Sequence, residues 1–238
     1  MRVFITLLAF CFISGGAFAQ VAPIINEFVF NHTGTDDHEF IEMFGEPNAD
    51  LSVYSIIGLE GDGIGAGVVD NVFNIGTTDG GGFWTTGFLT ANTLENGTLS
   101  LLLVVGFTGS LGQDLDADND GMLDAFPWSS IADAVAVWDG GASDWTYADA
   151  VLDPSFDGLG LTVGGASRIP NGFDTDAASD WMRNDFDGFG LPGFVGTPVL
   201  GEAINTPGTC NTPFVPEPGT LVLVVLGASA LLLRRRTK

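Results

Sequence analysis

Residues 114–124 read DLDADNDGMLD, with aspartate at 114, 116, 118, 120 and 124. A hard cation such as Ca²⁺ takes about six to eight oxygen ligands. A loop wraps it when carboxylates stand at positions 1, 3 and 5, a glycine makes the sharp turn at 6 and a carbonyl follows at 7. Asp116, Asp118 and Asp120 take the carboxylate positions, Gly121 the turn, Met122 the carbonyl and Asp124 the ninth position. Pro127 stands at the twelfth, where a helix-flanked calcium loop carries a bidentate Glu, and no flanking helices are legible. The expectation is therefore a helix-free calcium loop of the extracellular type, its missing ligand supplied by Asp114 or Asp133. The alternative is a solvated acidic loop, in which carboxylates this close repel one another unless ions or water screen them.

Other reactive residue types are sparse. His32 and His38 share a polar stretch with Asp36, Asp37 and Glu39. That set could ligate a transition metal, but a turn between two strands accounts for the same residues. GDGIGAG at 61–67 lacks the glycine spacing and the βαβ context of a phosphate cradle. Neither a GxSxG nor an HExxH motif is present, and no nucleophile–base pair is legible. With 30 Asp and Glu, some pair reaches glycosidase spacing by chance. The chain is expected not to be an enzyme; the alternative is an accessory enzyme acting on polysaccharide with acids on its loops. Trp138, Trp145 and Trp181 would form a sugar platform if they lined one face.

The elements that must position these residues read as strands. PIINEFVF, HEFIEMF, SVYSIIGLE, VVDNVFNI, TLSLLLVVG, DAVAVW, YADAVL and LTVGGASRI are short β-branched or aromatic runs bounded by Gly, Asn, Asp and Pro. FDGLGL at 156–161 returns as FDGFGL at 186–191, which is read as matching turn chemistry in two loops. The class implied is all-β, an antiparallel sandwich or barrel.

Seven Lys and Arg face 30 Asp and Glu, for a net charge of −23. Most of the basic residues sit at the chain ends, so the body repels nucleic-acid phosphates and anionic headgroups, and no nucleic-acid partner is expected. Arg168 and Arg183 are the two fixed cations of the body and are expected to pair with Glu39, Glu42 or nearby Asp. Met1-Arg2, an apolar run and the small residues Ala17 and Ala19 ahead of Gln20 read as a signal peptide, 1–19, cut by signal peptidase. Its removal takes Cys11, so Cys210 is expected to stand alone in a body without an internal disulfide.

Two family resemblances follow from these residues. INE at 25–27, EFIEMF at 39–44, DLSVYSI at 50–56, LSLLLVV at 99–105, DAVAVW at 133–138, GGASRI at 164–169, SDWMRN at 179–184 and NTPGTCN at 205–211 are, in that order, similar to the lamin tail domain of exported bacterial proteins. The resemblance implies an immunoglobulin-like antiparallel β-sandwich over 20–211, non-catalytic, with an acidic insert between Gly106 and Ile131 that the compact form lacks. Pro216, Glu217 and Pro218, an apolar helix over 220–233 and the cluster Arg234, Arg235 and Arg236 resemble the PEP-CTERM sorting signal, 212–238. That helix, at 1.5 Å per residue, is shorter than the roughly 30 Å hydrocarbon core, and the arginines hold the C-terminus inside. The resemblance implies a short transmembrane anchor, read by an exosortase near Glu217. It also implies delivery to the surface or extracellular matrix of a Gram-negative bacterium, where exopolysaccharide or matrix protein is the expected partner.

Overall fold

The computed structural model describes residues 22–215. The leader with Ala17 and Ala19, and the tail with Pro216, Glu217, Pro218, the apolar run 220–233 expected as a helix, and Arg234, Arg235 and Arg236, lie outside the described residues. Among the described residues no helix is long and apolar enough to cross a membrane.

All eight apolar runs carry strands. In chain order these are β1 (Ile24–Val29), β2 (Phe40–Phe44), β3 (Tyr54–Glu60), β4 (Val69–Asn74), β5 (Phe83–Thr85), β6 (Leu99–Val105), β7 (Ser130–Val137), β8 (Ala150–Leu152), β9 (Gly165–Arg168), β10 (Trp181–Arg183), β11 (Ala203–Ile204) and β12 (Thr212–Pro213). The strands β5, β10, β11 and β12 are too short to show a period of two in sequence. One sheet has the order β10-β9-β1-β2-β5, a second has β4-β3-β6-β7-β8, and β11 pairs with β12. Among the described strands every pairing is antiparallel, as expected, except β7 with β8, which is parallel. A parallel pair needs a crossover of a dozen or so residues, and 138–149 supply one.

The two five-stranded sheets face each other across one core. Ile25, Phe28, Ile41, Met43 and Trp181 come from the first sheet, and Ile56, Leu101, Leu103, Val135 and Val137 from the second. Arg168 on β9 crosses this layer, its Nη2 lying 2.9 Å from Asp133 on β7. Each sheet is also covered on its outer face, which is why β1, β2 and β6 are buried almost along their whole length. Over the first sheet, Leu191 and Phe194 pack on Val29 and Phe40. Beside them the segment leading from β11 to β12 hydrogen-bonds down onto β1 and β2. Over the second sheet, Leu115 is fully buried with Leu123, Ala125 and Trp128 against Ile57, Leu102 and Val104. The acidic insert therefore folds as a cover, and burial of a Leu such as Leu115 contributes about 1.5–3 kcal/mol to seating it. Cys210 is disulfide-bonded, which corrects the expectation that it stands alone.

Candidate metal centre on the acidic insert

The insert begins by pairing with the β3–β4 turn. Val69 N donates to the Gln113 carbonyl at 2.9 Å and Leu115 N to that of Gly67 at 3.0 Å. With Leu115 pointing down, Asp116 is drawn into the loop and is fully buried. Its Oδ1 accepts from Asp120 N at 3.2 Å, and its Oδ2 from Gly121 N at 3.0 Å and the Tyr147 hydroxyl at 2.7 Å. Burial and Asp116 both push the Tyr147 hydroxyl well above its ordinary range, so it remains a donor. Gly121 has φ +86°, and a Cβ there would run into the Trp145 ring, so the turn position needs glycine on both counts.

Three of the expected ligands come together. One carboxylate oxygen from each of Asp116, Asp118 and Asp124 lies within 4.8 Å of the others. Asp124 Oδ2 accepts from Ala117 N at 2.9 Å, closing the loop on itself. Asp118 is raised above the usual carboxylate range by repulsion from Asp120, then by burial, Asp124 and Asp116. Asp120 stands outside this group, its Oδ1 turned to Met122 N at 2.9 Å. Asp114 Oδ1 is likewise spent on Asp116 N at 3.0 Å. Asp133 belongs elsewhere: it is buried between Arg168 Nη2 and Ile25 N, which corrects its expected place near the loop. The sequence did not mark Asn119, which takes a left-handed φ of 53° and keeps a buried Oδ1 without a partner. The donor set is all oxygen, as calcium prefers, and the orphaned Asn119 oxygen in the same loop fits a hard cation.

The remaining constellations resolve differently. His32 Nδ1 donates to the Thr33 carbonyl at 3.0 Å and its Nε2 accepts from His38 N at 3.2 Å. Both ring nitrogens of His32 are thus occupied by backbone groups, while His38 Nδ1 lies 2.6 Å from Asp37 Oδ1, so His32 serves the turn between β1 and β2. Asp62, Asp139 and Asp144 also converge, around the Thr98 hydroxyl, which lies 3.1 Å from Asp139 Oδ1 and 3.2 Å from Asp144 Oδ2. Trp181 is buried beneath the Arg168 guanidinium, 4.4 Å from its ring centroid, so it belongs to the core and to no platform with Trp138 and Trp145.

The two arginines find carboxylates, though not Glu39 or Glu42. Arg168 meets Asp133, Asp174 at 2.8 Å and Asp180 at 3.5 Å. Arg183 is bidentate to Asp157, with both contacts at 2.9 Å, and also donates to the carbonyls of Pro154 and Leu161. Glu39 instead accepts from Thr93 N and Leu94 N, and burial pushes it up to about 6. Glu42 lies directly across from Glu27 on the outer face of the first sheet. Burial raises both, and Glu27 raises Glu42 further, because two carboxylates so placed cannot both ionise cheaply.

Compared with models of known protein families, with curated proteins and with solved structures, the chain finds no match.

Proposed function

We propose that the chain is an exported, non-catalytic module of the lamin-tail, immunoglobulin-like sandwich kind. It is displayed at the surface or in the extracellular matrix of a Gram-negative bacterium, stiffened by calcium, and binds exopolysaccharide or matrix protein there. Signal peptidase cuts after Ala19. An exosortase reads Pro216, Glu217 and Pro218 with the arginines behind them, after the 220–233 helix has held the chain in the inner membrane. A net charge of −23 supports a partner that is neither nucleic acid nor another polyanion.

The observation that carries the reading is the convergence of Asp116, Asp118 and Asp124 on a loop whose underside is seated on a sheet. Calcium there would be held by those carboxylates and by Asn119, and would supply the positive charge that their mutual repulsion calls for. Trp145 packs on Gly121 and Tyr147 bonds Asp116, so both lie close enough to sensitise a lanthanide. Excitation of these side chains should produce Tb³⁺ luminescence that Ca²⁺ displaces at lower concentration than Mg²⁺, which favours a tight octahedral shell. Luminescence unchanged in the Asp118→Asn/Asp124→Asn variant would contradict the site. Export is tested separately, by mass spectrometry of the surface fraction with and without the exosortase. Mature protein that still carries peptides of the 220–233 run would contradict the address.

One observation favours the second reading, an accessory enzyme acting on polysaccharide. Asp185 and Glu202 are both buried and both raised above the carboxylate range, by burial first and then by a neighbouring carboxylate, Asp187 for Asp185 and Asp185 for Glu202. They line a cavity of about 260 Å³ with Leu161, Phe186 and Val199. Release of reducing ends from a neutral polysaccharide by the wild type, abolished in Asp185→Asn, would establish it.

A further inference from the structure

A cavity of about 240 Å³ opens at one end of the sandwich, between the sheets. Its floor is apolar: Phe30 follows β1, Val163 precedes β9, and Val137 ends β7. Its rim carries Trp138, Asp139 and Asn96. The Trp138 indole is 36 % exposed, and its Nε1–H is directed to the Gly141 carbonyl at 3.3 Å, which fixes the ring at the opening. Asp139 Oδ1 is committed to Gly141 N and the Thr98 hydroxyl, both at 3.1 Å, while Oδ2 takes no hydrogen bond from the described residues. Asn96 spends its Nδ2 on Asp36 at 2.8 Å and leaves its Oδ1 equally open.

The rim thus offers one aromatic face and two unspent acceptors above an apolar floor. A sugar ring is the complementary object, with an apolar C–H face for the indole and hydroxyl donors for the carboxylate and the amide oxygen. A volume below the roughly 300 Å³ of common small-molecule sites suits one ring better than an enclosed oligosaccharide. Free acceptors and a strongly acidic body both repel anionic sugars. We propose that the Trp138–Asp139–Asn96 cavity binds a single uncharged sugar ring of a polysaccharide chain. This rests on the reading of the protein as a matrix-binding module and gives that reading a site.

Affinity electrophoresis of the purified protein tests it. The gels contain dextran, hydroxyethylcellulose or galactomannan, with alginate as the polyanion and choline as a soluble cationic competitor for the indole. Retardation by at least one neutral glycan and not by alginate is expected. Trp138→Ala should weaken it at least tenfold and Asp139→Asn severalfold. Thr162→Trp, a change at an exposed rim position, should block the cavity while leaving the core intact, so it reports even where Trp138→Ala fails to fold. Retardation undiminished in both Trp138→Ala and Thr162→Trp overturns the site and leaves the matrix-binding reading standing. Failure of every neutral glycan to retard the wild type, or complete competition by choline alone, overturns the sugar assignment. The lanthanide measurement then reads independently whether the calcium loop survives.

Discussion

Over the first sheet, the segment between β11 and β12 lies on the outward carboxylates of β1 and β2 and meets each with a donor. Over the second, the 107–128 insert seats its leucines on the strands and turns its carboxylates toward one another. Glu27 receives Asn184 Nδ2 and Thr206 N, both at 2.9 Å, and the Thr206 hydroxyl at 3.0 Å. Glu42 receives Asn26 Nδ2 at 2.8 Å and Gly208 N at 2.6 Å. Asn211 Nδ2 then ties the segment to the carbonyls of Asn26 and Arg168, both at 2.9 Å. A buried carboxylate supplied with donors is a fastening, and its identity is structural. In the insert Asp116 and Asp124 also receive donors, but the exposed Asp118 faces both of them and is raised by its acidic neighbours, and a buried amide oxygen is left over; a cation would relieve that repulsion. Acid content alone does not separate the two cases; an exposed carboxylate turned toward its acidic neighbours, rather than buried under donors, does.

The largest effect is expected where a charge is buried between the sheets. Arg168→Met removes the partner of Asp133 and Asp180, both almost fully buried, and should cost about 3–5 kcal/mol in denaturant unfolding. A loss below about 1 kcal/mol would show that the buried polar layer is not what joins the sheets. Asn211→Ala leaves two buried carbonyls unpaired and should cost about 1–3 kcal/mol. An unchanged midpoint would mean the segment does not fasten the first sheet.

The pH response sharpens the same contrast. Glu27 and Glu42 have raised folded values, so the folded state favours their neutral forms while the unfolded chain ionises them near pH 4.3. Their contribution to stability is complete below about pH 4.3 and is lost as pH rises through the folded values. The melting temperature should therefore fall between about pH 5 and about pH 8, and fall less in Glu42→Gln. Equal slopes in both proteins would assign the effect to general repulsion within an acidic chain. The smallest effect belongs to the insert: in chelator, Asp118→Asn/Asp124→Asn should change stability by no more than about 0.5 kcal/mol, since both side chains are exposed.

The strands were legible because their apolar runs are bounded by turn residues, and the repeated FDG turns match in structure, with positive φ at Gly158 and Gly160 and again at Gly188 and Gly190. Burial of β1 and β2 on both faces was not, because one of those faces is made of Glu27, Glu42 and Asn184, which read as solvent-facing in sequence. The arginine partners were legible in part: Asp174 and Asp180 are nearby aspartates that pair with Arg168, as expected, while the glutamates named with them do not pair. Glu39 and Glu42 are near in type, but Asp133 lies across the core and Asp157 in the loop after β8. For the acidic loop, spacing located the cluster and the Gly121 turn. It did not show that Asp120 would fold back onto Met122 N, or that Asn119 would be left with a buried oxygen, since both depend on the loop's packing beneath Trp145 and Tyr147.

Calcium-dependent thermal unfolding tests the central claim most directly, comparing the wild type and Asp118→Asn/Asp124→Asn in chelator, in Mg²⁺ and in Ca²⁺. Binding to the native state alone contributes RT ln(1 + [L]/Kd), about 1.4 kcal/mol when free calcium is ten times Kd. The account predicts that Ca²⁺ raises the wild-type melting temperature clearly more than Mg²⁺ does, and that the variant shows only the small, equal response to both ions expected from charge screening. Equal calcium shifts in the two proteins would contradict it.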